Sequence, residues 1–123
     1  MDKEIFEKLV ERICQKCSKT ESKLLENITI KQLKNFTSIR KCNSYNIEKR
    51  TSFNLGEKVI VYFVQLLKPV SEEIVYLAIL AEDDVELSSY KATTLEDSKP
   101  FFKIFDYAYR DAKRIVENFI KGE

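Results

Sequence analysis

Histidine is absent from all 123 residues. That removes Ser-His-Asp and Cys-His nucleophilic catalysis, and every zinc site that needs an imidazole. Glycine is nearly absent as well, with Gly56 and Gly122 the only two. A P-loop or a Rossmann G-x-G-x-x-G turn needs glycines so that the backbone can approach phosphate, so neither is available. No run of about 18 apolar residues occurs, which leaves no candidate transmembrane helix. The opening stretch MDKEIFEKLVER mixes charged and apolar residues from the start, unlike a signal peptide. Without an export signal, the triplets Asn27-Ile28-Thr29 and Asn35-Phe36-Thr37 are read as chance matches to a glycosylation acceptor. The three cysteines, an odd number, are read as reduced thiols. The expectation is a cytoplasmic protein that needs no cofactor.

What is present describes an ordinary globular chain, 44% hydrophobic and 33% charged. A chain of this length buries about two-thirds of its unfolded surface in one domain, which we place at residues 1–123. Residues 3–17 carry a helical pattern: Ile5, Phe6, Leu9, Val10, Ile13 and Cys17 share one face, and Asp2 is placed to cap the first turn. Over 18–35, Ser18-x-x-Glu21 and Thr29-x-x-Gln32 match capping boxes, and Leu24, Leu25, Ile28 and Leu33 can form a stripe. One or two short helices are expected there. From Phe36 to Leu55 the chain is polar, basic and β-like, with Ile47, Lys49, Thr51, Phe53 and Leu55 alternating with polar neighbours.

The strongest apolar signal follows. Residues 59–64 and 74–80 are β-branched and aromatic runs separated by Lys68-Pro69-Val70-Ser71-Glu72-Glu73, which reads as a hairpin over about 57–82. Neither run alternates with polar residues, so both faces of the hairpin must be covered. A weaker strand is expected at about 86–94. A long amphipathic helix closes the chain, capped by Asp97 or Ser98, with Pro100 in its first turn and Gly122 at its C-terminal end. Its apolar face comprises Phe101, Ile104, Phe105, Ala108, Ala112, Ile115, Val116 and Phe119. The fold class is therefore α+β: an N-terminal helix with a short second helical segment, an antiparallel sheet of about four strands, and a C-terminal amphipathic helix.

Few residues suggest chemistry. Cys14-Gln15-Lys16-Cys17 has redox spacing, but a redox C-x-x-C works at a helix N-terminus, where the dipole favours thiolate. This one falls late in the first helix. Cys42 is the only further thiol, short of a zinc site's usual ligand set. Glu82-Asp83-Asp84-Val85-Glu86 gathers carboxylates after a strand, where a hard cation could sit, but without the accompanying lysine pattern of a nuclease it reads as a solvated turn.

Charge is distributed unevenly. Residues 31–58 hold seven Lys and Arg against two acids, a net of +5, and residues 70–97 hold one lysine against eight acids, a net of −7. Within the basic stretch Arg40, Lys41, Lys49 and Arg50 flank Tyr45, a combination able to grip phosphates and stack on a base. On the last helix Lys103, Tyr107, Arg110, Arg114 and Lys121 fall within roughly one-sixth of a turn of each other.

Three functions compete. The first is a non-catalytic protein-interaction module that pairs as a homodimer, because a doubly apolar hairpin needs two covers and only two helices are strongly indicated. The second is a nucleic-acid-binding accessory protein using the Arg40–Arg50 segment. The third is an enzyme built on carboxylates around Asp83 and Asp84. The candidate interaction surface comprises Arg40, Lys41, Tyr45, Lys49, Arg50, Lys103, Tyr107, Arg110 and Arg114, with no catalytic, metal or cofactor residue assigned and no membrane partner.

Overall fold

The structure is a computed structural model that describes residues 1–16 and 30–122, and the side chains of all of these except 16, 111–116 and 118. Helix α1 spans Lys3–Lys16, α2 Ile30–Leu33 and α3 Thr37–Arg40. Strands β1 (Asn46–Gly56), β2 (Val59–Lys68), β3 (Glu73–Glu82) and β4 (Val85–Ala92) follow, and α4 (Leu95–Ile120) ends the fold. The strands form one antiparallel meander in the order β1-β2-β3-β4. Among the described residues no helix is long and apolar enough to cross a membrane. The α+β reading and the central hairpin both hold. Cys17, the Ser18 and Thr29 caps, and the proposed stripe at Leu24, Leu25 and Ile28 lie outside the described residues.

Because β2 and β3 are apolar at successive positions, they build two cores. On the front face, Phe53, Val61, Phe63, Tyr76, Ala78 and Ala92 lie beneath Phe6, Val10 and Ile13 of α1 and Phe101, Ile104, Phe105 and Ala108 of α4. This core is dense in aromatic rings: Phe6 stacks on Tyr90 at 4.3 Å and meets Phe101 at 4.8 Å. The two helices run in the same direction. Lys3 pairs with Asp97 at 3.1 Å near their starts, and further along Cys14 shares a cleft with Lys103 and Arg110. Ile5, assigned to the apolar stripe of α1, is 57% exposed.

On the back face, Tyr62, Val64, Leu66, Val75, Leu77, Ile79 and Ala81 are covered by Leu33, Phe36, Ile39 and Cys42. The second cover thus comes from the chain itself, and the sheet does not demand another copy. Both long helices took one face, and the short helices filled the other. Here the sequence reading needs correction, since it took residues 36–55 as continuously β-like. Residues 37–40 are helical and strand begins only at Asn46. The N-cap residue of α3, Phe36, has no side-chain cap, and the first-turn amide of Ser38 is instead satisfied from across the sheet. The Glu86 carboxylate on β4 accepts from Ser38 N at 3.2 Å and from Ser38 Oγ at 2.8 Å.

Two more local expectations are adjusted. Helix α4 begins three residues before Ser98: Thr94 is its N-cap and its side chain accepts from Asp97 N at 3.2 Å. Pro100 is accordingly the sixth helical residue, past the first turn, and forgoes one main-chain bond to Glu96. Gly122 does take the left-handed conformation (φ 78°) that ends a helix, donating to Phe119 O at 3.1 Å.

In β1 the register slips between Ile47 and Lys49. Ile47 pairs with Leu66 on the back face, whereas Lys49, Thr51 and Phe53 pair with Gln65, Phe63 and Val61 on the front. A bulge at Glu48 therefore breaks the simple alternation read from the sequence. Both outer strands are also blunted against further pairing. The Tyr109 hydroxyl donates to Arg50 O on β1 at 3.4 Å, and the Met1 nitrogen donates to Ser89 O on β4 at 3.3 Å.

Candidate functional site

The basic segment and the helix stripe, treated together as one candidate surface, separate in three dimensions. Arg40 closes α3, Lys41 follows in the turn, and Tyr45 precedes β1, all three on the back-face side. Within β1 the pairing sends Arg50 to the back, opposite Val64, and Lys49 to the front, opposite Gln65. Lys103, Tyr107 and Arg110 lie on α4 over the front face. The Arg114 side chain is outside the described set.

Tyr45 is already engaged. Its hydroxyl donates to Glu73 at 2.7 Å, and Lys68 Nζ lies 5.9 Å from its ring. The hydrogen bond to the Glu73 carboxylate holds its phenol above the usual tyrosine range, so it stays a donor. A ring held this way by the β2–β3 hairpin is less available to stack on a base. Around it lies a cleft of about 360 Å³ lined by Lys34, Ile39, Arg40, Cys42, Asn43, Tyr45, Ile47 and Leu66. Half of these residues, Lys34, Ile39, Asn43 and Leu66, carried no signal in the sequence, because the cleft is assembled only when α2 and α3 fold onto the sheet.

Tyr107 is not on a fully solvated face. It is half-buried, its ring 6.0 Å from Phe53 and capped by the Arg110 guanidinium at 5.0 Å. Lys103, Asp106, Tyr107 and Arg110 form a smaller cleft with Cys14, of about 240 Å³. Burial pushes the Cys14 thiol up, with Lys103 and Arg110 partly opposing. Thiolate is the reactive form, so this shift runs against a redox role for the C-x-x-C spacing. Cys14 and Cys42 pack on opposite faces of the sheet and cannot share a metal.

The carboxylate run is accounted for by turn geometry. Asp83 and Asp84 are the two central residues of the β3–β4 hairpin, both with positive φ (50° and 65°). A two-residue hairpin loop of this twist requires that backbone, which aspartate tolerates better than most side chains. Asp83 N also donates to Lys58 O at 3.0 Å, tying the β3–β4 turn to the β1–β2 turn. Among the described residues no three Cys, Asp or Glu side chains converge as metal ligands.

One feature of α4 escaped the sequence reading. The helix continues to Ile120, and its last turn carries two large apolar side chains. Phe119, assigned to the apolar face, is 82% exposed, and Ile120 is 76% exposed.

The fold and its surfaces define a small α+β domain with both sheet faces covered by its own chain. No family model matches the sequence, and neither a curated protein nor a solved structure matches it.

Proposed function

We propose that this chain is a non-catalytic protein-interaction module that self-associates through the outer end of α4. One observation carries the reading: the long amphipathic helix α4 ends with Phe119 and Ile120, two large apolar side chains, in solvent. The apolar stripe read from the sequence continues through Ala112, Ile115, Val116 and Phe119, and such a stripe is the pattern of a helix face that pairs with another helix. Burying such side chains is favourable by roughly 25 cal/mol per Å² of apolar surface. The protein is taken to act in the cytoplasm with reduced thiols and no cofactor. The nucleic-acid reading has weaker support, because the basic residues divide between two faces and Tyr45 is held by Glu73 and Lys68.

Light scattering at micromolar concentration tests the proposal. A species of twice the 14.5 kDa chain mass is expected, and the double variant Phe119→Glu/Ile120→Glu should run as a monomer with an unchanged melting temperature. A wild-type monomer overturns the reading.

A further inference from the structure

The back-face cleft around Ile39 and Leu66 has no part in the proposed self-association, and it has a marked internal polarity. At about 360 Å³ it is the largest of the four clefts described, located where β1 begins and β2 ends. Its floor is apolar: Ile39, Cys42 and Leu66 are buried, and Ile47 and Tyr45 stand half-buried beside them. The Tyr45 hydroxyl is spent on Glu73, so what it adds to the wall is chiefly ring. The rim is the reverse, with Lys34, Arg40 and Asn43 all exposed.

No carboxylate lines this cleft, whereas each of the other three is lined by at least one: Glu7 in the first, Asp83 in the second and Asp106 in the fourth. Among the described residues neither Lys34 nor Arg40 has a side-chain ion pair. An apolar floor accepts hydrocarbon, and the two cations above it accept an anion through charge-assisted hydrogen bonds.

We propose that this cleft binds a small amphipathic anion, its hydrocarbon body seated on Ile39, Cys42, Ile47 and Leu66 and its carboxylate or phosphate held by Lys34 and Arg40. A neutral ligand of the same shape leaves the cations without a counter-charge, and a cationic one is repelled. A purely polar anion uses the rim and gains nothing from the floor.

Titrating the full chain with decanoate, read by methyl and amide NMR shifts, tests this. Saturable shifts are expected at Ile39, Ile47 and Leu66, with decyl phosphate competing for the same site. Decanol should bind about tenfold more weakly, and decyltrimethylammonium should not displace decanoate. Arg40→Gln and Lys34→Gln should each lower decanoate affinity about five- to tenfold and leave decanol affinity unchanged. Both residues are exposed, so the variants should fold. The Phe119→Glu/Ile120→Glu protein should bind decanoate as the wild type does, which separates this site from the end of α4. The proposal falls if decanoate and decanol bind equally, or if both charge variants bind like the wild type. It also falls if inorganic phosphate binds as tightly as decyl phosphate, or if no saturable binding occurs below about millimolar ligand.

Discussion

The two faces of the sheet are covered in different ways. The front carries two long helices and a continuous set of rings, Phe6, Phe53, Phe63, Tyr76, Tyr90 and Phe101. Among the described residues the back carries two four-residue helices over mainly aliphatic side chains, with Phe36 against Tyr62 at 5.2 Å. Front-face packing is cooperative, because each ring touches several others and none can leave alone. Among the described residues the back cover is made by α2, α3 and the turn after it, with α3 tied to β4 by the Glu86 carboxylate.

The strongest way to break this comparison is truncation of one ring on each face. Phe63→Ala, fully buried beneath α1 and α4, should cost roughly 3–5 kcal/mol in denaturant unfolding. Phe36→Ala should cost about 2–3 kcal/mol, with faster hydrogen exchange confined to residues 33–42, because a short cover can loosen while the sheet stays intact. Equal costs with uniform exchange would show that the faces unfold as one unit.

A smaller effect should follow at the attachment itself. Glu86→Ala removes the long-range cap of α3 and should cost about 1–2 kcal/mol. The exchange response should appear in α3 and not in α1 or α4. Unchanged protection at Ser38 would remove Glu86 from the account.

On the front face, Thr51 sharpens the contrast from the other direction. Its hydroxyl is fully buried opposite Phe63 and has no hydrogen-bond partner among the described residues. Thr51→Val keeps the shape and removes the unsatisfied oxygen, so a gain of about 1 kcal/mol is expected. A loss on chemical unfolding would mean that the hydroxyl is satisfied in solution.

The smallest effect belongs to the exposed Lys3–Asp97 pair, which joins the starts of the two front helices. The hydrogen bond from Lys3, and then one from Thr94, hold the Asp97 carboxyl below the usual carboxylate range. A depressed folded pKa contributes stability above the unfolded value of about 3.9, and that contribution is lost as pH falls through the folded value. Lys3 is shifted up by the same partner, so its share is fully present at neutral pH and is lost only in alkali, as pH rises through its folded value. The melting-temperature gap between wild type and Asp97→Asn should therefore be small at pH 6 and close in strong acid. A gap that widens on acidification contradicts this assignment.

Much of the fold was legible because its signals are local. The spacing of Phe6, Val10 and Ile13 specifies one helix, and the runs at 59–64 and 74–80 specify strands buried on both sides. The back cover was not legible for a physical reason. Helices of four residues have too little periodicity to be recognised, and the cap that supports α3 comes from Glu86, 48 residues from Ser38. The Glu48 bulge was equally hidden, since a register slip is set by the partner strand. It sent Ile47 and Lys49 to opposite faces, while ordinary strand alternation divided Lys49 from Arg50.

By itself, then, the sequence determined the absences that narrow the chemistry, the order of the long elements, and the need for two covers over a doubly apolar hairpin. Each of these depends on residue type or on spacing along a single element. Only the tertiary structure decided that both long helices share one face and that residues 30–47 close the other. It also decided that Lys34 and Arg40 stand over a floor of Ile39, Cys42 and Leu66. Those outcomes depend on contacts between distant segments, which no local pattern encodes.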